Sequence, residues 1–217
     1  IAFTQREAAQ DVVLSLDPAK TLASKEPLRI GTSSTRRRAF LSHFYPQHTA
    51  VEMRGNLQTR LEKLKKGDCD AMLLAFAGVH RMEMESYITQ HLGLDQFVPA
   101  VGQGSVAIQC AVSLDSSIKA VVRKACNHPS TEAALLAERH LLAHLEGGCS
   151  VPVYGHAVVK DNQLALHAGV LSLDGIENIY HSAEGSDPAI LGKEVAMELI
   201  HLGAHQLLRK IRQQLGS

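Results

Sequence analysis

The sequence predicts an α/β protein, in which a doubly wound lobe is followed by a small α+β domain. From residue 28 to residue 84, short apolar strands alternate with segments of helical periodicity, and this β-α-β-α-β order is typical of a doubly wound sheet. The run 71–76 (AMLLAF) is almost continuously apolar, as expected for a parallel strand that is buried on both faces. After residue 150, three strand-like runs separated by turn residues precede a long helical segment, which predicts the second domain.

Local signals place the individual elements. Hydroxyl residues at 32–34 are good N-caps for a following helix, and leucines repeat at helical spacing between residues 57 and 64. Segment 6–16 is polar with a few apolar positions and is assigned to no element. Segment 98–104 (VPAVGQG) is rich in turn residues and is interpreted as a crossover or a hinge, and is called the hinge segment below. The expected elements are strands at 1–4, 28–31, 49–53, 71–76, 105–111, 153–159, 164–171 and 179–183, and helices at 35–44, 57–66, 78–84, 116–126, 130–145 and 189–215, with Gly203 as a break in the last helix.

The composition excludes several classes of protein. Lys plus Arg and Asp plus Glu both number 22, so no overall field recruits nucleic acid or a membrane surface, and any anion site must come from local clustering. No apolar run reaches the roughly 18 residues that a membrane-spanning helix needs. The four cysteines form no CxxC pair and no regular framework, which favours the reducing cytoplasm.

An arginine-rich turn follows the first strand of the lobe, at 31–38 (GTSSTRRR). Free backbone N–H groups, hydroxyls and the positive end of a helix dipole converge there and favour a bound anion. Three successive arginines at a helix N-terminus oppose the dipole, and an anion would offset that repulsion. The alternative is a solvated basic face.

A second arginine-bearing turn, 54–60 (RGNLQTR), occupies the same position after the next strand. Because the carboxyl ends of parallel strands meet at one edge of a sheet, we expect both clusters at that edge, and Arg81 after the third strand extends it. Four or five guanidiniums together would suit several carboxylates or phosphates.

Cys149 lies in the segment 145–152 (LEGGCSVP), between a long helical pattern and an extended run. Two glycines let the backbone leave a helix abruptly, so the thiol is expected on a mobile loop that could carry a bulky covalent group. The alternative is a C-capped helix with an incidental buried cysteine. His140 and His144 have the i, i+4 spacing of zinc ligands, but a surface histidine pair is favoured because only one cysteine is near, and no metal site is assigned.

These segments together resemble the hydroxymethylbilane synthase family, also called the porphobilinogen deaminases. The resemblance covers essentially the whole chain, with its motifs in order. The residues that carry it are GTSS at 31–34 with Arg36 and Arg37, RGN at 54–56 with TR at 59–60, PAVGQG at 99–104, AER at 137–139, LEGGC at 145–149 and VP at 151–152.

The resemblance implies a three-domain transferase of tetrapyrrole (haem) biosynthesis. Domains 1 and 2 would be lobes of the type II periplasmic-binding-protein fold, and domain 3 a small α+β unit. It implies that residues 1–4 and 102–117 are remnants of domain 1, most of whose N-terminal segment is missing from these 217 residues, that residues 5–101 form domain 2 and that residues 127–217 form domain 3. Members of this family join four porphobilinogen molecules head to tail into hydroxymethylbilane, with release of ammonia, on a dipyrromethane cofactor that a thioether holds to the protein.

The family's binding residues carry over to this chain by motif. By resemblance, Cys149 would hold dipyrromethane covalently and Arg54, Arg60 and Arg81 would bind substrate. The remaining cofactor-binding residues would be Ser33, Ser34, Arg36, Arg37 and Arg60.

No catalytic residue is assigned. The family's catalytic aspartate lies in a Ser-x-Lys-Asp segment that these 217 residues do not contain, and Asp11, Asp68 and Asp70 are not put in its place. If the 217 residues are the whole molecule, we expect no turnover and no self-assembled cofactor. The expected protein is a cytoplasmic monomer with porphobilinogen as its partner and no affinity for nucleic acid or membrane. The alternative function is a non-catalytic module that binds a small polycarboxylate reversibly, for which Cys149 would have no role.

Overall fold

The computed structural model describes residues 1–148, 150–161 and 163–216. The strands are β1 (Ala2–Phe3), β2 (Asp11–Leu14), β3 (Arg29–Gly31), β4 (Thr49–Val51), β5 (Ala71–Ala75), β6 (Ile88–His91), β7 (Ala107–Ile108), β8 (Val153–Lys160), β9 (Gln163–Leu171) and β10 (Asn178–Gly185). The helices are α1 (Thr35–Phe44), α2 (Leu57–Lys65), α3 (Phe76–Arg81), α4 (Ser116–Cys126), α5 (Pro129–His144), α6 (Pro188–His201) and α7 (Ala204–Leu215).

A five-stranded sheet forms the centre of the lobe, in the order β4-β3-β5-β2-β6. β3 runs parallel to both β4 and β5, with α1 and α2 as the crossover connections, so the predicted doubly wound arrangement is confirmed. The sheet places three strand ends side by side, and the turns after β3, β4 and β5 therefore share one edge.

β2 differs from the expectation for this part of the chain. The sequence predicts no element over 6–16, yet Asp11–Leu14 is fully buried and pairs antiparallel with both β5 and β6. The segment is polar on average, and only these four residues enter the sheet, so the strand cannot be recognised from the sequence pattern. A polar residue, Asp11, opens the strand, and its burial depends on partners that are distant in sequence.

Other boundaries also move. β6 was not predicted, and the strand expected at 105–111 is reduced to Ala107–Ile108, which pairs with β1. α3 begins at Phe76, directly after β5 and two residues before the predicted start, and ends at Arg81 rather than at residue 84. The assignment of residues 1–4 and 102–117 to a separate domain stays a prediction, as do the other two domain boundaries.

The C-terminal part is an antiparallel sheet in the order β10-β9-β8, covered by helices α5, α6 and α7. Its core contains leucine, valine and alanine side chains from the sheet and from all three helices. Gly203 adopts a φ of 104°, which separates α6 from α7 and confirms the expected break.

The two parts are packed directly against each other. Phe40 of α1 packs against Tyr154 of β8 with ring centroids 5.0 Å apart and ring planes tilted by 48°, and both side chains are buried. The backbone N–H of Gly155 donates to the carbonyl oxygen of Pro99, which joins the hinge segment to β8. Within the described part of the chain, no helix is long and apolar enough to cross a membrane.

Candidate functional site

A pocket of about 300 Å³ lies where the lobe, the hinge and the C-terminal part meet. Its polar wall comes from the start of α1 and from the hinge, and its apolar wall comes from the hinge, α5 and the start of β8. Its lining residues are Ser34, Thr35, Arg36, Arg37, Ala100, Val101, Gln103, Leu142, Gly148, Val151 and Val153.

The turn after β3 fixes the polar wall. Ser34 is the N-cap of α1, and its hydroxyl accepts a hydrogen bond from the backbone N–H of Arg37, as the sequence predicts. The Ser33 hydroxyl donates to the carbonyl oxygen of Met53 at 2.6 Å, so it ties the turn after β3 to the turn after β4. The two turns therefore meet at one sheet edge, as predicted from the parallel strands.

Arg36 and Arg37 are not solvated but are paired with a buried carboxylate. Arg36 Nη2 donates to Asp11 Oδ2 at 2.7 Å, and Arg37 donates to Asp11 Oδ1 from Nη2 at 2.8 Å and from Nε at 3.0 Å. The Asp11 side chain is 0% exposed and that of Arg36 only 4%. Burial would raise the pKa of Asp11, but the two guanidiniums more than offset it and hold the pKa below its ordinary value. The solvated basic face considered above is thus wrong for Arg36.

Gln103 connects this charged cluster to the hinge. Its amide Nε2 donates to Asp11 Oδ1 at 2.9 Å, and its Oε1 accepts from Arg36 Nη2 at 3.2 Å. Arg36 also donates from Nη1 to the carbonyl oxygen of Val98 at 2.7 Å. Arg36 Nε is buried and has no hydrogen-bond partner among the described residues.

The other predicted arginines occupy different surroundings. Arg60 is half-buried and donates to the carbonyl oxygen of Gly55 at 2.9 Å, and burial together with the charge of Arg37 lowers its pKa. Arg54 pairs with Glu52 at 2.6 Å on a largely exposed surface, and Arg81 is exposed at the end of α3. Their roles in substrate binding stay predictions.

Cys149 lies outside the described residues, but the segments on both sides of it border the pocket. α5 ends at His144, Glu146 takes a positive φ of 50°, and the Gly147 backbone N–H donates to the carbonyl oxygen of Leu142. Gly148 and Val151 both line the pocket. Described residues on both sides of Cys149 therefore line the same pocket as the arginine pair, and the role of Cys149 stays a prediction.

The histidine pair on α5 is engaged locally. His144 Nδ1 is 2.7 Å from the carbonyl oxygen of His140, one turn earlier. Over the ranges that the structure describes, no group of three or more His, Cys, Asp or Glu side chains is arranged to hold a metal ion.

Asp11 and Gln103 are the site residues that sequence reasoning missed. The sequence places Gln103 in the hinge segment without indicating a role for it, and it does not support Asp11 as a substitute for the catalytic aspartate. The only local signal for Asp11 is its position directly before the apolar run Val12–Leu14, because such a run is unusual for a solvent-exposed turn.

Comparison with known proteins identifies the family of this chain. Residues 1–119 match the family model described as porphobilinogen deaminase, dipyromethane cofactor binding domain, and residues 132–201 match that of the porphobilinogen deaminase C-terminal domain. The porphobilinogen deaminase of Cytophaga hutchinsonii is 47% identical over 218 residues, covering 100% of this chain and 70% of the relative. That of Desulfosudis oleivorans is 42% identical over 217 residues, covering 99% and 70%. That of Carboxydothermus hydrogenoformans is 40% identical over 214 residues, covering 98% and 68%. With two family models that together match most of its length and relatives above 40% identity, the chain belongs to the porphobilinogen deaminase family.

Proposed function

We propose that this protein is a transferase of tetrapyrrole biosynthesis, which joins four porphobilinogen molecules into hydroxymethylbilane and releases ammonia. One observation carries the proposal: the pocket that contains Arg36 and Arg37 is also lined by Gly148 and Val151, the residues on either side of the Cys149 segment. A ligand tethered to Cys149 would have a short path to two guanidiniums.

The residues of the pocket fit the dipyrromethane group that the family model names. Guanidiniums and hydroxyls on one wall suit the carboxylates of a substituted pyrrole, and aliphatic side chains on the other wall suit its ring faces. Arg36 lines the pocket, and its buried Nε is a donor with no partner among the described residues. When bound, dipyrromethane supplies the nucleophilic pyrrole end to which substrate is added.

The chain's own residues would bind and orient. Arg37 and Arg60 place positive charge at one sheet edge, and Ser34 offers a hydroxyl at the start of α1. Leu142, Val151 and Val153 restrict water on the opposite wall, which strengthens each charge-assisted hydrogen bond in the pocket. Cys149 would retain growing intermediates through its thioether, so that they do not diffuse away.

Binding of porphobilinogen tests the anion site. In Arg37→Leu we expect affinity to fall about 10- to 100-fold, because a charge-assisted hydrogen bond contributes about 1.5–3 kcal/mol. Arg38→Leu is the matched control, since Arg38 is the exposed neighbour on the same helical turn. Isothermal titration should show the loss only in the first variant, and equal affinities would remove Arg37 from the site.

Intact mass separates the transferase from the reversible binding module. In the full polypeptide as it occurs in the cell, we expect an added mass of two pyrrole units that disappears in Cys149→Ala. A reversible binder would show the unmodified mass in both forms and bind polycarboxylates equally well without the thiol. An unmodified Cys149 in that polypeptide would therefore overturn the proposed function.

We further propose that the protein acts as a monomer in the cytoplasm. Free thiols at Cys69, Cys110 and Cys126 support a reducing compartment. Sedimentation analysis over a range of concentrations and cell fractionation would contradict this if they gave a stable dimer or a membrane-bound protein.

A further inference from the structure

The Asp11 carboxylate is a buried group that the binding role assigned to the arginines does not account for. It opens β2 between β5 and β6, and its side chain is fully buried. A carboxylate in such a position costs several kcal/mol in lost hydration unless charged partners compensate it. Here both partners are the arginines that are proposed to bind the carboxylates of the ligand.

Each oxygen of Asp11 serves one arginine. Oδ2 accepts from Arg36 at 2.7 Å, while Oδ1 accepts twice from Arg37, at 2.8 and 3.0 Å, and once from Gln103 at 2.9 Å. The carboxylate therefore fixes both guanidiniums relative to each other. It also leaves each of them incompletely bonded: Arg36 Nε has no partner among the described residues, and Arg37 Nη1 has only a 3.4 Å contact with the carbonyl oxygen of Leu73.

The charges of the cluster also follow from this geometry. Burial lowers the pKa of Arg36, the charge of Arg37 lowers it further, and Asp11 opposes both effects. Two cations and one anion leave a single net positive charge on the Asp11–Arg36–Arg37 cluster. That charge matches one carboxylate held by these two guanidiniums, whereas a dianion held by them alone would leave an excess negative charge.

We propose that Asp11 is the positioning residue of this site, which holds Arg36 and Arg37 in place and restricts them to one monoanionic carboxylate at a time. The inference rests on the proposed function in so far as the ligand is a pyrrole carboxylate. It concerns the anion preference of the pocket, which is measured without turnover.

The test compares acetate and sulfate binding in the parent chain and in Asp11→Asn. The variant keeps the shape of the side chain and raises the net charge of the cluster from one to two. We expect the ratio of sulfate to acetate affinity to rise about tenfold or more, with a steeper dependence on ionic strength, because the added charge acts at short range. Asp11→Glu retains the charge and should keep the parent's preference, but it should bind acetate more weakly because the guanidiniums are displaced.

Asp70→Asn is the matched control, because Asp70 also forms ion pairs, with Lys20 and Arg29, but does not line the pocket. If Asp11→Asn folds and keeps the parent's affinity ratio, the proposal is overturned. If it does not fold, Asp11→Gly serves as the second variant, because it leaves a space where the carboxylate was: formate should restore its folded far-ultraviolet circular dichroism spectrum by filling that space, and chloride at equal ionic strength should not. Failure of formate to do so also overturns the proposal. An unmodified Cys149 would refute the proposed function but would leave these binding ratios unaffected.

Discussion

Glu138 provides the sharpest test of how the two parts of the molecule are joined. Its carboxylate is fully buried in α5 and accepts four hydrogen bonds from three other segments. Oε1 accepts from Arg6 Nη1 at 2.6 Å and from the Ala157 backbone N–H at 2.8 Å, while Oε2 accepts from the Gly102 N–H at 2.7 Å and from Arg6 Nη2 at 3.3 Å. Every donor points at an oxygen, so Glu138→Gln must direct an amide NH₂ at one of the two donor pairs.

The magnitude follows from what the substitution leaves unpaired. Removing one partner of a buried ion pair costs about 3–5 kcal/mol, and the amide keeps the size of the side chain, so we expect a loss near the lower value, about 3 kcal/mol. For a chain of this length each kcal/mol lowers Tm by about 2–4 °C, so the variant should melt about 6–12 °C lower. Urea unfolding followed by far-ultraviolet circular dichroism is the suitable assay, because the chain contains no tryptophan.

Glu194→Gln on α6 is the control, because Glu194 is exposed and the same change there should alter stability by less than about 0.5 kcal/mol. Burial raises the pKa of Glu138, and Arg6 and the two backbone donors oppose that rise. A native state with a protonated Glu138 would accept glutamine at little cost. A difference below 1 kcal/mol between Glu138→Gln and the parent would therefore refute the ion-pair description, since it lies well below the about 3 kcal/mol expected.

Two further predictions concern pH and packing. Burial and the charge of Arg6 lower the pKa of His156 from 6.5 to about 4. Between these two pH values the unfolded chain therefore binds a proton at this histidine and the folded chain does not. Stability should therefore fall as pH drops from 6.5 to 4, by at most about 3 kcal/mol. In His156→Asn the urea midpoint should depend less steeply on pH over that range, and an unchanged pH dependence would exclude His156 as the cause. A Cβ on Gly192 would overlap the carbonyl oxygen of Ala137, so Gly192→Ala should cost about 1–3 kcal/mol in thermal unfolding. Gly78→Ala, with open space around it, should cost nothing, and equal losses in both would contradict the close packing of α5 and α6.

Elements specified by local signals could be predicted from the sequence. The helix over Thr35–Phe44 begins at its predicted N-cap, and the break at Gly203 falls where a left-handed backbone conformation needs glycine. β2 and β6 could not be predicted, because each has four residues and is stabilised by pairing with strands far away in sequence. Hydrophobic periodicity over so short a segment does not distinguish a buried strand from a loop.

The same limit applies to the site. Parallel strand order was enough to bring the turns after β3 and β4 to one edge, and the Ser33–Met53 hydrogen bond confirms that placement. Sequence spacing gave no indication that Arg36 and Arg37 would share an internal carboxylate. A count of charges in the sequence predicts two unpaired cations, whereas in the structure both arginines form ion pairs with the buried Asp11 carboxylate. The burial of a charged residue depends on tertiary contacts and carries almost no local signal.

Asp11 and Glu138 together explain how two hinge residues can couple the lobe to the C-terminal part. Gly102 donates its backbone N–H to Glu138, and the adjacent Gln103 uses its side chain to contact Asp11 and its carbonyl oxygen to accept from Arg6 Nε. Both buried ion clusters are therefore anchored to one dipeptide. Because α5 carries Glu138 and leads into the segment around Cys149, the position of that segment relative to the arginine pair depends on the backbone of residues 102–103. A substitution in either cluster should consequently alter ligand binding in the pocket. The changes in the free energy of unfolding caused by substitutions at Asp11 and Glu138 should not be additive.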